Sequence, residues 1–99
     1  MTFSGGSYEE VERWLWNFLT AHAKREDPRI EVEVDAGDER EGKSYLARLR
    51  FGDRLGPPWE FDYKEVADNR GRLAWCEQMA RQTRTRARRL LAEARDTAP

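Results

Sequence analysis

At 99 residues, 38% hydrophobic, 37% charged and 11% aromatic, the chain has the make-up of one folded domain (1–99) with a single core and little room for a deep pocket. Its net charge of −1 is unevenly laid out: residues 1–68 hold ten Lys/Arg against sixteen Asp/Glu, and residues 69–99 hold eight arginines against three acids. One cysteine and one histidine exclude an internal disulfide and a zinc quartet, and no stretch approaches the ~20 apolar residues of a membrane span.

The start, "MTFSGGSYEE", lacks an apolar signal core, so a cytoplasmic protein is the expectation. Residues 1–6 and 96–99 are expected to be flexible. Ser7 and Glu10 form an S-x-x-E capping box that opens a helix over about 8–25. Val11, Trp14, Leu15, Phe18, Leu19 and His22 recur at helical spacing on one face, and Pro28 stops the run. Trp16 lies off that stripe.

The period then changes to two. In "RIEVEVD", Ile30, Val32 and Val34 face one way and the acids the other; in "YLARLRF", Tyr45, Ala47, Leu49 and Phe51 alternate with Leu46, Arg48 and Arg50. After the turn-rich "GDRLGPP", Trp59, Phe61 and Tyr63 alternate with Glu60, Asp62 and Lys64. Three strands in a meander are expected, with one apolar face and one charged face on which Glu31, Glu33 and Asp35 pair with Arg48 and Arg50. A second helix then runs from about 69 to 95, with Leu73, Cys76, Ala80, Thr83, Ala87, Leu90 and Ala94 as its apolar stripe.

The expected fold is therefore α+β: a two-layer α-β-β-β-α unit, three antiparallel strands, both helices on one sheet face and a long C-terminal helix. Its core is expected to contain Val11, Trp14, Leu15, Phe18, Ile30, Val32, Val34, Ala47, Leu49, Phe51, Phe61, Leu73, Cys76 and Ala80. The order of elements resembles that of double-stranded RNA-binding domains. That resemblance implies a basic cluster opening the second helix and a minor-groove contact from the first strand loop. Here those positions read "ADNRGRLAW", with Arg70 and Arg72, and "GDEREGK", with Asp38, Glu39 and Glu41, which repel phosphate.

No catalytic motif, Gly-rich phosphate loop or metal-ligand spacing is present, so neither an enzyme nor a cofactor is expected. His22 reads as a packed helix end and Cys76 as a small buried hydrophobe. The stretch "RQTRTRARRLLAEAR" carries six arginines. Arg81, Arg84, Arg88 and Arg95 share one stripe, which either binds nucleic-acid phosphates or is a solvated helix side supported by Glu77. Arg86, at the margin of the apolar stripe, either snorkels to water or pairs across an interface.

Trp16 is either a binding hot spot or folds over the sheet edge or the terminus near Phe3. Helix length adds one more expectation. A helix over 69–95 outreaches its sheet and leaves a seam of Thr83, Ala87, Leu90, Leu91 and Ala94 for a twin chain, another protein or the N-terminal segment.

A small non-enzymatic protein-interaction or adaptor module is the leading expectation, with Trp16, Arg86, Leu90 and Leu91 as partner-binding residues and a homodimer through the C-terminal helix. Nucleic-acid binding through Arg81, Arg84, Arg88 and Arg95 is the alternative. A small-molecule cavity lined by Trp14, Trp59, Tyr63 and Trp75 is a third reading.

Overall fold

The capping box forms as its spacing implies. In the computed structural model, which describes residues 6–96, Ser7 Oγ accepts from the Glu10 amide and the Glu10 carboxylate accepts from the Ser7 amide, each at 3.1 Å. Helix α1 then runs Tyr8–Glu26, with Lys24 and Arg25 in the last turn where the helix dipole favours cations. Past it, the Asp27 carboxylate accepts from the Arg29 amide at 2.8 Å, turning the chain into the sheet. Phe3 and most of the expected flexible ends lie outside the described residues. Gly6 is tied down by the Tyr63 hydroxyl, which donates to its carbonyl at 2.7 Å.

The sheet is antiparallel and has four strands: β1 (Glu31–Asp35), β2 (Ser44–Phe51), β3 (Arg54–Leu55) and β4 (Trp59–Asp62). Strand β1 lies along one edge of β2; β3 and β4 follow each other along the other. The turn between β2 and β3 has two residues, and Gly52 takes its first place at φ 63°, as a type II′ turn requires.

The expected third strand is β4, and the stretch "GDRLGPP", expected to be a turn-rich connection, holds the additional short strand β3. Leu49 O accepts from Gly56 N at 2.8 Å, yet Ala47 pairs with Trp59. Pro57 and Pro58 therefore face the one residue Arg48, which is the count of a β-bulge. Neither proline has an amide to donate, so the ladder must lapse there.

Two further boundaries differ from expectation. The alternation through Tyr63 does not continue as strand. Asp62 caps a short helix, α2 (Tyr63–Asn69), its carboxylate accepting from Glu65 N at 3.0 Å. Arg70–Arg72 then break the chain before α3 (Leu73–Asp96), so the helix expected from residue 69 starts later.

Helices α1 and α3 run parallel on one face of the sheet. Trp14 meets Trp75 near their N-termini, with ring centroids 6.2 Å apart, and Arg88 meets Glu26 at 3.0 Å toward their C-termini. The core holds Val11, Leu15, Ile30, Val32, Ala47, Leu49, Phe61 and Ala80, as the patterning requires. It also takes Tyr8, Leu19, Ala23, Tyr45, Trp59, Val66, Thr83, Ala87 and Leu90. Trp14, Phe18, Val34, Phe51 and Cys76 are only half-buried, and Leu73, placed in the first turn of α3, is 75% exposed.

The opposite sheet face is charged and solvated. Arg50 reaches Glu33 at 3.1 Å, and Arg40 reaches Glu60 at 2.8 Å. No helix among the described residues is long and apolar enough to cross a membrane.

Candidate functional site

Helix α3 presents three different sides, set by 100° per residue. Ala80, Thr83, Ala87 and Leu90 face the core. Thr83 would bring an unpaired hydroxyl there, but it donates to Met79 O at 2.7 Å.

The second side meets α1. Arg88 lays its guanidinium on the Glu26 carboxylate through contacts of 3.0 and 3.3 Å. Arg84 is half-buried toward His22, with its Nε shielded from water and without a hydrogen-bond partner among the described residues. Of the four-arginine stripe, Arg81, Arg88 and Arg95 are exposed, Arg88 while paired with Glu26, and Arg81 and Arg95 lie about 21 Å apart at 1.5 Å per residue.

The third side forms a groove. Gln78, Arg81, Gln82, Thr85, Arg86, Arg89, Leu90 and Glu93 line it from the helix and Pro57 closes it from the sheet, around a space of about 680 Å³. Arg86 joins the two walls. Its guanidinium lies 4.3 Å above the Trp59 ring centroid, and its Nη1 donates to Pro57 O at 3.4 Å. Arg48, opposite Pro57, turns its own amide and carbonyl to β1, so the Pro57 carbonyl has no donor from β2 and takes one from the helix. Burial, and then the neighbouring Arg89, lower the pKa of Arg86. The side chain is thus a strut across the groove floor, resting on an aromatic face.

Trp16 occupies a different place. It is 42% exposed, yet its Nε1 donates to Val32 O at 2.9 Å. Val32 pairs with Leu49, whose own carbonyl turns toward Gly56, so the Val32 carbonyl points away from β2 to the free edge of β1. Eight residues earlier on α1, the Tyr8 hydroxyl lies 2.9 Å from both Ala36 O and Arg40 O and also bonds Ser44 O. Eight helical residues rise about 12 Å, and the four strand residues from Val32 to Ala36 rise about 13 Å. Tyr8 and Trp16 therefore fall in step with two carbonyls of an antiparallel strand. Trp16 folds over the sheet edge and blunts it against unwanted strand pairing.

The expected open seam on α3 is corrected by burial. Leu90 is 2% exposed, Thr83 and Ala87 are fully buried, and Leu91 is half-buried against the same core. Residues past Arg88 do outreach α1, but the β2–β3 hairpin comes up beside them. Phe51, Asp53, Arg54 and Leu55 share an open cleft with Ala94 there, and Leu55 is 46% exposed. Leu90 is consequently a core residue of its own chain, and what stays exposed at this end is Leu55 with parts of Leu91 and Ala94.

The remaining reactive side chains are separated. Cys76 donates its S–H to Arg70 O at 3.4 Å, and burial raises its thiol pKa. His22 packs against Phe18 at 4.6 Å between ring centroids. Among the described residues no three His, Cys, Asp or Glu side chains gather as a metal-holding group. Trp14, Trp59, Tyr63 and Trp75 do not share a cavity: Trp59 packs on Phe61, Tyr63 on Tyr8 and Trp14 on Phe18.

Fold and groove define a small α+β domain with a cationic, hydrogen-bonding flank on its longest helix. No protein-family model, curated protein or solved structure matches the chain.

Proposed function

We propose that the chain is a small non-enzymatic protein-interaction module whose α3 groove receives an acidic segment of a protein partner. The observation that carries this reading is the groove's lining. Arg81, Arg86 and Arg89 outnumber the one acid, Glu93, and stand with Gln78, Gln82 and Thr85 around one open space, with Pro57 and Leu90 as its apolar parts. Guanidinium forks bind carboxylates in pairs of parallel bonds, and amide and hydroxyl groups read a peptide backbone. Arg86 is already braced by Trp59 and Pro57, so less ordering remains for binding to impose.

A phosphate backbone is served less well. It needs a row of free cations, whereas Arg84 is half-buried and the exposed Arg88 already shares its charge with Glu26. The test is a titration of the full chain with a short Glu-rich peptide and, separately, with duplex RNA and duplex DNA. The expected result is peptide binding that falls at least about tenfold in the Arg81→Glu, Arg89→Glu variant, a loss of about 1.4 kcal/mol. Tight duplex binding with a steep salt dependence, and none to the peptide, overturns the proposal.

A further inference from the structure

We infer that the groove where α1 meets the free edge of β1 is a second docking site, and that its occupant is a basic, extended segment of a protein partner that lays a cationic side chain on the Trp16 ring. The space is about 480 Å³ and is lined by Glu9, Glu12, Arg13, Trp16 and Val34. Three features of this lining point to such a segment.

The first is the tryptophan itself. Its indole N–H is spent on Val32 O, which fixes the ring, yet 42% of the residue stays exposed. A tryptophan held only for packing would bury that surface. An exposed indole with a fixed orientation attracts an ammonium or guanidinium group through its quadrupole.

The second is charge. Glu9 and Glu12 are on the wall beside Arg13, and the exposed Asp35, Asp38, Glu39 and Glu41 follow where β1 runs on into its loop. The negative field is felt inside the fold. After burial, the carboxylates of Glu12, Glu41 and Asp35 raise the pKa of the Tyr8 hydroxyl, against the opposing effect of Arg40. A segment of opposite sign is steered to this end of the molecule and held there.

The third is backbone. Val34 pairs with Ala47, and that stretch of β2 turns its amide and carbonyl groups toward β4, as Lys43 O does toward Tyr63 N. The amide and carbonyl of Val34 therefore face the groove, between the carbonyl of Val32, taken by Trp16, and that of Ala36, taken by Tyr8. With the carbonyls on either side taken, the open edge is a short stretch centred on Val34. That width suits a short extended segment anchored by its side chains, and it refuses a full added strand.

The two grooves differ in sign and lie on opposite flanks of the helix layer, one beside β1 and the other beside the proline bulge. Occupied together, they would make the chain a bridge between an acidic and a basic partner. The second site does not depend on the first.

The experiment titrates the full chain with three short peptides in which Thr alternates with Arg, Glu or Ser, measuring affinity by calorimetry and, in the parent chain, following the indole N–H signal of Trp16 by NMR. The Arg peptide is expected to bind and to shift that signal. Its affinity should fall about tenfold in Glu9→Gln, Glu12→Gln and again in Trp16→Leu, each checked for folding by circular dichroism. Arg81→Glu, Arg89→Glu should leave it bound. Absence of Arg-peptide binding, or binding that survives the glutamine pair unchanged, overturns the inference. Because the Glu peptide is assigned to the α3 groove, its binding in the Trp16→Leu chain reports separately on that site.

Discussion

His22 lies on the α1 side that meets α3. Its ring packs on Phe18, and its Nδ1 is shielded without a hydrogen-bond partner among the described residues. Burial, then Arg25 and Arg84, hold its pKa below the ordinary 6.5. A base depressed in this way binds fewer protons folded than unfolded. Stability therefore falls with pH in the window from about 6.5 down to the folded-state value, where the unfolded imidazole is protonated and the folded one is not. His22→Leu removes this contribution. Thermal unfolding should show the variant gaining on the parent chain at pH 5.5 relative to pH 8; an equal difference at both values would overturn the assignment. The residue scale also shows where sequence reading stops. Trp16 stands off the apolar stripe, and nothing in its neighbours announces that eight residues of helix match four of strand. Its role is set by the distance between two elements, which no local pattern encodes.

At the scale of elements, the proline bulge and Arg86 form one device. Two prolines against one arginine interrupt the ladder, and the long side chain from α3 supplies a donor to the Pro57 carbonyl, which β2 does not reach. Arg86→Met keeps an unbranched apolar stem over Trp59 but loses the charge and the bond to Pro57 O. The expected cost is about 1 kcal/mol, within the range for a partly shielded cation on an aromatic ring. It should appear as a lower urea midpoint at unchanged slope. A variant as stable as the parent would mean that the contact is incidental.

These elements also show what was readable. The capping box, the period-2 runs and the apolar face of α1 each repeat a signal several times, so they specify the helix, the strands and the shared face without tertiary help. "GPP" reads as a turn because its bulge depends on the register of a partner strand. Helix α2 was hidden because Trp59, Phe61 and Tyr63 alternate like a strand. The contrary signal, an Asp62-x-x-Glu65 cap, was present and weaker.

For the whole molecule, the decisive question is what covers the far end of α3. Length alone implies an overhang, since 24 helical residues rise about 36 Å and the 19 of α1 about 28 Å. The structure buries Leu90 within its own core and brings the β2–β3 hairpin up beside the last turns, where Phe51 to Leu55 share an open cleft with Ala94. This changes what substitution on the seam should do. If Leu90 faced a second copy, Leu90→Glu would split a dimer and leave a folded monomer. Leu90 is instead 2% exposed within one chain, so the glutamate would have to enter the core or unfold the helix around itself. Even Leu90→Ala should cost roughly 2–5 kcal/mol, a large part of a small domain's stability. Leu73, at the other end of the same helix, is 75% exposed, and Leu73→Glu should stay within about 0.5 kcal/mol of the parent. Thermal unfolding and sedimentation of the two variants side by side test this placement. The expected pair is a melted or strongly destabilised Leu90→Glu chain and an unaltered Leu73→Glu chain. A Leu90→Glu chain that keeps the parent's melting temperature while halving in mass would restore the twin-chain seam and displace the hairpin from its place beside the helix.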